Sequence, residues 1–210
     1  ARRQRECGAG KEVSVSVSVE TVQAQLARAK LSDFRDKYAG SPAAVLGGGP
    51  SLPADMSHLP LGCVLIAVNY HAEQLCQPDF MVYNDQPESD PRLLVGVCQT
   101  KAVRVSPDPS SDVVFDVPVW TGHYSSNTAT WFALWLGCDP VILCGHDLYQ
   151  GERVYFHDYE HDCPAFHYPL ENHLRPWIEE GRNLLPHVER VRAMSGPLGQ
   201  VFGYYQEGGR

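Results

Sequence analysis

Two tyrosines six residues apart, Tyr149 and Tyr155, flank Gln150-Gly151. Two phenols on one loop can donate hydrogen bonds to a departing phosphate and stabilise its charge without a metal. The same pair can equally anchor a loop. Gly47-Gly48-Gly49-Pro50-Ser51 lets the backbone approach a ligand with no Cβ in the way, and the N–H groups of such a turn can cradle phosphate. A tight strand-to-helix turn is the alternative. The pattern is neither the Walker loop, which needs Gly-Lys-Ser/Thr, nor the dinucleotide Gly-x-Gly-x-x-Gly. Ser125-Ser126-Asn127 opens an apolar helix. It offers a second anion site through helix-end N–H groups, or plain N-capping by Ser125 or Ser126. Asn69 and Asn84 fall at the ends of two apolar runs, where a buried amide must bond to ligand or to loop backbone. His157 and His161 have a spacing that suits metal ligation on a helix, but the Glu that a zincin carries beside its first His is absent, and a solvated loop fits better. His167, beside Tyr168, titrates near neutrality and is a candidate general base or a structural histidine.

The elements that must position these residues follow from the apolar pattern. Ala43–Leu46, Val64–Asn69, Phe80–Asn84 and Pro140–Gly145 are short, largely continuous apolar runs, and Ala102–Val105, Val113–Phe115 and Val191–Met194 look like further strands. Such runs are strands covered on both faces. Ser125–Gly137 reads as a helix apolar nearly all round and stopped by Gly137, and 172–190 as a helix interrupted near Pro176 and Pro186. Alternating strands and helices give an α/β, Rossmann-like, mostly parallel sheet with helices on both faces. Before it, Val13–Val19 alternates strictly as a strand, and 21–38 has helical character. The expected division is thus a strand-helix appendage over 1–40 and a nucleotide-binding domain over 41–210. The tail from Gly203 is Gly-rich, polar and expected to be mobile. Ligands of open parallel sheets bind beyond the carboxyl ends of the strands. Five of these strands are followed by polar segments: Gly47–Ser51, Asn69–His71, Asn84–Gln86, Thr121–Asn127 and His146–Tyr149.

Bulk composition narrows the partners. Across 210 residues the formal charge is −8. A general nucleic-acid binder needs a basic stripe to release counterions, so no nucleic acid is expected. No apolar run approaches the roughly 20 residues of a membrane helix. The seven cysteines include no Cys-x-x-Cys. Cys63, Cys98, Cys138 and Cys144 lie in apolar surroundings, as reduced, mostly buried thiols of a cytoplasmic protein do.

In order along residues 43–200, these pieces resemble two related groups: the bacterial sialyltransferases of glycosyltransferase family 42, and the 6-hydroxymethylpterin diphosphokinase-like Rossmann proteins, which include phage-encoded members. Gly48-Gly49-Pro50-Ser51-Leu52 resembles the Gly-x-Gly-Pro-Ser-Leu turn of both. Asn69 and Asn84 match the two asparagines of the sialyltransferase nucleotide-sugar site, and Ser125-Ser126-Asn127 its Ser-Gly phosphate turn, with Asn127 in place of the glycine. Gly145-His146-Asp147-Leu148-Tyr149 resembles Gly-x-Asp-x-Tyr, and Tyr155 follows at the sialyltransferase spacing. His167-Tyr168 resembles the segment that carries the base.

The resemblance implies a metal-independent, inverting transfer from a nucleotide-sugar donor to an acceptor glycan or other small hydroxyl compound, with no cofactor. Gly48, Gly49, Ser51, Asn69, Asn84, Ser125 and Ser126 would hold the nucleotide. Tyr149 and Tyr155 would stabilise the leaving phosphate, and His167 would deprotonate the acceptor. The diphosphokinase-like alternative implies ATP and Mg²⁺, with Asp85 and Asp147 as metal ligands. A third reading is a non-catalytic module for binding or assembly, for instance in a phage particle. The N-terminal strand would then join a neighbouring sheet edge in a homo-oligomer or larger assembly, and the protein would be virion-associated.

Overall fold

The computed structural model describes residues 28–118, 124–159, 163–181 and 187–207. The expected strand at 13–19, the first part of the expected helix at 21–38, Cys7, Thr121–His123, His161 and Pro186 lie outside them. Among the described residues, eight strands form one sheet: β1 (Ala29–Lys30), β2 (Ala43–Leu46), β3 (Val64–Val68), β4 (Phe80–Val82), β5 (Val103–Val105), β6 (Val113–Val114), β7 (Val141–Cys144) and β8 (Val191–Ala193). Their spatial order is β1-β6-β5-β4-β3-β2-β7-β8. Every described pairing between these strands is parallel. The helices are α1 (Leu52–Met56), α2 (Pro91–Gln99), α3 (Ser125–Trp135), α4 (Leu170–Pro176) and α5 (Gly199–Phe202).

The strands read as continuous apolar runs because successive side chains serve opposite faces. Ala43 and Val45 join a core under α3 with Ile66, Phe80, Phe132 and Leu143. Ala44, Leu46, Ile142 and Cys144 pack with Leu52 of α1 on the other face. On that second face, Met81 and Tyr83 also meet Leu93 and Val97 of α2. Helix α3 crosses β2, β3, β4 and β7. Its residues Asn127–Leu134 are all buried, as an all-round apolar helix requires.

Several expectations need correction. Residues 29–38 are not helical: they form β1, a 3₁₀ turn (Leu31–Phe34) and further turns. Leu31 and Phe34 sit in the main core. Tertiary pairing of Ala29 with Val113 overrides the local helical tendency there. Helix α2 has no counterpart in the sequence reading, although Asp90-Pro91 marks its start: the Asp90 side chain accepts from the Arg92 amide, and Pro91 occupies the first turn. The cap of α3 is Tyr124, with Ser125 already inside the helix. The expected helix at 172–190 divides: α4 contains Pro176 and passes into a π turn (Trp177–Gly181), and Val188–Arg190 is 3₁₀. The tail is pinned through Tyr205, since the Gly203 carbonyl accepts from the Ala193 amide and the Ala193 carbonyl from the Tyr205 amide. Cys138 and Cys144 are buried as expected, whereas Cys98 is exposed.

Candidate functional site

From β2 the chain steps outward through β3, β4, β5 and β6, then returns to place β7 on the opposite side of β2. The strand order therefore reverses between β2 and β7, which opens a crevice beyond their carboxyl ends. A cavity of about 190 Å³ lies there, lined by Gly48, Gly49, Asn69, Asn84, Ser125 and Ser126 together with Asp85, Tyr149 and Tyr155. Residues from five strand ends, far apart in sequence, thus meet in one place.

The glycines of the first turn are not used for unusual backbone angles, because none of the three has a positive φ. They are glycines because other groups come too close. A Cβ on Gly49 would stand 2.1 Å from the Asp147 Oδ2, and one on Gly48 would stand 2.6 Å from the Tyr155 ring. The Gly48 carbonyl also accepts from the Phe156 amide at 3.0 Å, which ties the tyrosine loop onto the turn. Ser51 is not among the cavity's described lining residues. Its amide and hydroxyl both reach the Asp147 Oδ2 at 3.0 Å. Its Oγ is also 3.1 Å from the Asp55 Oδ2, which accepts the Gly145 amide at 2.9 Å. Ser51 thus links the two Gly-rich turns through buried Asp55 and partly buried Asp147.

Beyond β7, Gly145, Leu148 and Tyr149 all have positive φ. For Leu148 and Tyr149 that conformation costs about 1–2 kcal/mol each. It presents the Tyr149 ring to the cavity beside Tyr155, 6.2 Å between centroids and edge to face. Burial pushes the Tyr149 phenol up to about 12 and the Tyr155 phenol higher still. Both phenols therefore keep their protons at neutral pH, as hydrogen-bond donors must.

The Ser125 Oγ accepts the Asn84 amide at 3.1 Å, fastening α3 to the end of β4. The first-turn N–H groups of α3 point toward the cavity end of the helix, where Ser126 also lines the wall. Asn69 has a φ of 54°, which Asn tolerates better than most residues. Among the described residues its buried Oδ1 has no partner. The buried His146 is similar: its Nδ1–H donates to the Cys144 carbonyl at 2.9 Å, so the partnerless Nε2 carries a lone pair. Burial lowers its pKa to about 4.

A second, larger chamber of about 640 Å³ adjoins the first and shares Asn69, His71, Asp85, Tyr149 and Tyr155 with it. Its other walls include Arg92, Tyr159 and Phe166. Arg92 lies over the Tyr159 ring at 4.5 Å. His71 stacks on Tyr155 at 4.3 Å. His167 ends the 3₁₀ turn Pro164–His167, is exposed, and lines neither chamber. His157 bonds to His71. No group of three or more His, Cys, Asp and Glu side chains suited to a metal ion occurs among the described residues. The sequence reading named Tyr70-His71 and His146 only as polar strand ends. Their approach to Tyr155 and Trp177 had no local signal.

No protein-family model matches the chain, and no curated protein matches its sequence. Among solved structures, its fold is similar to that of the sialyltransferase CstII from Campylobacter jejuni in complex with cytidine-5'-monophosphate. The identity is 13% and the TM-score 0.52, over 80% of this chain and 86% of that one. CstII in complex with CMP-3FNeuAc gives 13% identity and a TM-score of 0.50, over 78% and 86%. MAf glycosyltransferase from Magnetospirillum magneticum AMB-1 aligns over 57% of this chain and 27% of that chain, with 19% identity and a TM-score of 0.42. Likeness at these identities is one of fold, and the fold is a Rossmann-like α/β sheet of the kind seen in CstII. No helix among the described residues is long and apolar enough to cross a membrane.

Proposed function

We propose that the chain transfers a sugar from a nucleotide-activated donor to a hydroxyl acceptor, in a sialyltransferase-like, inverting reaction that needs no metal. The observation that carries this reading is the meeting of Gly48, Gly49, Asn69, Asn84, Ser125 and Ser126 with the Tyr149–Tyr155 phenol pair in one cavity at the reversal point of the sheet. The nucleotide lies in the first chamber, with its phosphate between the α3 N-terminus and the two phenols, and the acceptor enters the second. Ser51 acts by holding the two turns together. CstII, the fold neighbour, was solved with CMP and with CMP-3FNeuAc.

A second reading has support of its own. Asp85 and Asp147 line the first chamber, and no Lys or Arg is among its described lining residues. Two carboxylates opposite a phosphate site favour a hydrated Mg²⁺ and diphosphate transfer from ATP.

A melting series with CMP, CDP, UDP, GDP and ATP, each with Mg²⁺ or with EDTA, separates the readings. A nucleotide at 100 times its dissociation constant raises stability by about 2.7 kcal/mol. A shift with CMP that survives EDTA is the expected result. A shift with ATP that requires Mg²⁺ moves the assignment to diphosphate transfer, and no shift at all leaves an assembly module.

A further inference from the structure

His71 is 5 % exposed and is the one histidine, among the described residues, that lines both chambers. Its ring is held between Tyr70, 4.5 Å away, and Tyr155, 4.3 Å away and nearly parallel. Gly48 makes this possible, since a Cβ there would stand 2.9 Å from the His71 Cγ. The His71 Nδ1 lies 2.9 Å from the His157 Nε2, and the His157 Nδ1 lies 2.9 Å from the Asp158 carbonyl oxygen.

These contacts fix the tautomers. A carbonyl oxygen only accepts, so the His157 Nδ1 carries a hydrogen. In the neutral ring its Nε2 is then an acceptor, and the hydrogen between the rings belongs to the His71 Nδ1. The His71 Nε2 is left with a bare lone pair at the junction of the chambers. Burial and the neighbouring His157 lower the His71 pKa to about 3, so the ring remains neutral there. The groups around it are Tyr70, Tyr155, His157 and Tyr159, with Arg92 beyond Tyr159. His157 itself lines a third, open groove beside Glu73, Gln99 and Lys101.

We propose that His71 takes the acceptor's proton in the transfer reaction and hands it through His157 to solvent. The proposal rests on the transferase reading above. The acceptor oxygen forms its bond to the sugar carbon as the bond from that carbon to the nucleotide phosphate oxygen breaks, and the phosphate leaves with the electron pair. The acceptor's proton goes to the His71 Nε2, and the Nδ1 proton of His71 passes to the His157 Nε2. His71 ends neutral, with its hydrogen on Nε2. The positive charge ends on His157, at the open groove, where solvent removes it. A buried imidazole with so low a pKa is a poor resting store for a proton but suits one that is passed on at once. His157 is a positioning residue and the second carrier, and His71 is the group that touches the acceptor.

The test uses the full chain, with CMP-N-acetylneuraminate as donor and released CMP as readout. His71→Gln is expected to lower kcat about a hundredfold, the usual contribution of a general base, while keeping the CMP melting shift and a KM within about threefold. His157→Gln keeps an acceptor for the His71 Nδ1–H but cannot carry the proton, and is expected to lose about tenfold in kcat with KM unchanged. Independently of any variant, ring ¹⁵N spectra of the wild-type protein should show His71 as the Nδ1–H tautomer. Wild-type kcat in His71→Gln, an Nε2–H tautomer at His71, or full turnover in His157→Gln overturns the relay and leaves the transferase reading standing. Loss of turnover in His167→Ala with none in His71→Gln returns the base to His167. A wild-type protein that gives no CMP shift, or binds CMP and releases none from the donor, overturns the transferase reading and the relay together.

Discussion

At position 49 a single methyl group decides whether two turns can meet. Its Cβ would stand 2.1 Å from the Asp147 Oδ2 and 2.7 Å from the Gly145 carbonyl oxygen. Gly49→Ala must therefore displace the Asp147 carboxylate or the Gly145 backbone. An overpacked site of this kind costs about 1–3 kcal/mol, and denaturant unfolding should show a loss in that range. Tyr149 is the complementary case, in which one hydroxyl matters and the ring does not. Tyr149→Phe keeps the edge-to-face contacts with Tyr155 and His173 but removes a donor from the cavity. Stability should change by less than about 1 kcal/mol, since the ring contacts persist. Turnover of the nucleotide-sugar should fall by about a hundredfold if the phenol meets developing phosphate charge. A variant with wild-type kcat would make Tyr149 a loop anchor only.

Among the elements, the site depends on how the β2–α1 and β7 turns are joined. Asp147 accepts from both the amide and the hydroxyl of Ser51, and Asp55 accepts from the Gly145 amide. The Gly47 amide to the Cys144 carbonyl at 2.8 Å and the Gly49 amide to the Gly145 carbonyl at 2.9 Å carry the backbone pairing past the strand ends, and the two donors to Asp147 add to it. Asp147→Ala leaves the Ser51 amide without its partner and should cost about 2–3 kcal/mol, the value of hydrogen bonds to a charged group. Hydrogen exchange at Ser51 and Gly145 should quicken in that variant before the central strands are affected. The loop from His146 to Tyr155 has a second tie, from the Phe156 amide to the Gly48 carbonyl. The tyrosine pair is thus clamped to the glycine turn at both ends of its loop.

Over the whole molecule, two histidines make stability depend on pH. His71 and His146 are neutral in the fold, with pKa values lowered to about 3 and about 4, first by burial and, for His71, also by His157. In the unfolded chain each titrates near 6.5. Between those values the unfolded state binds more protons, so stability rises with pH and is lost as pH falls below about 6.5. At pH 4.5 each group should cost about 2–3 kcal/mol relative to pH 8. The melting temperature should therefore drop across this window. His71→Gln and His146→Gln should each remove about one proton from the uptake measured on unfolding at pH 5. An unchanged acid slope in both variants would place the pH dependence elsewhere.

The strands β2, β3 and β7 were legible because a parallel strand buried on both faces leaves a short, unbroken apolar run, and that pattern survives in any surroundings. The polar segments after those strands marked the cavity for the same reason: ligands of open parallel sheets bind beyond the carboxyl ends of the strands. Gly48, Gly49, Asn69, Asn84, Ser125, Ser126, Tyr149 and Tyr155 are all found there. What the sequence could not show is which neighbour each side chain would meet. Ser51 reads as a phosphate ligand, and its hydrogen bonds to Asp147, 96 residues away in sequence, had no local signal. The glycines read as a sharp turn and prove to be clearance for Asp147 and Tyr155. His71 reads as a polar strand end, yet sits 2.9 Å from His157 across 86 residues. Residues 29–30 pair in the sheet where local tendency favours a helix. Periodicity records burial on one element, so composition and spacing determined the central strands, helix α3 and the polar carboxyl edge of the sheet, but neither α2 nor the divided course of 172–190. Long-range contacts leave no local record, so only the tertiary structure decided the tautomers, the carboxylate ties and which histidine stands between the two chambers.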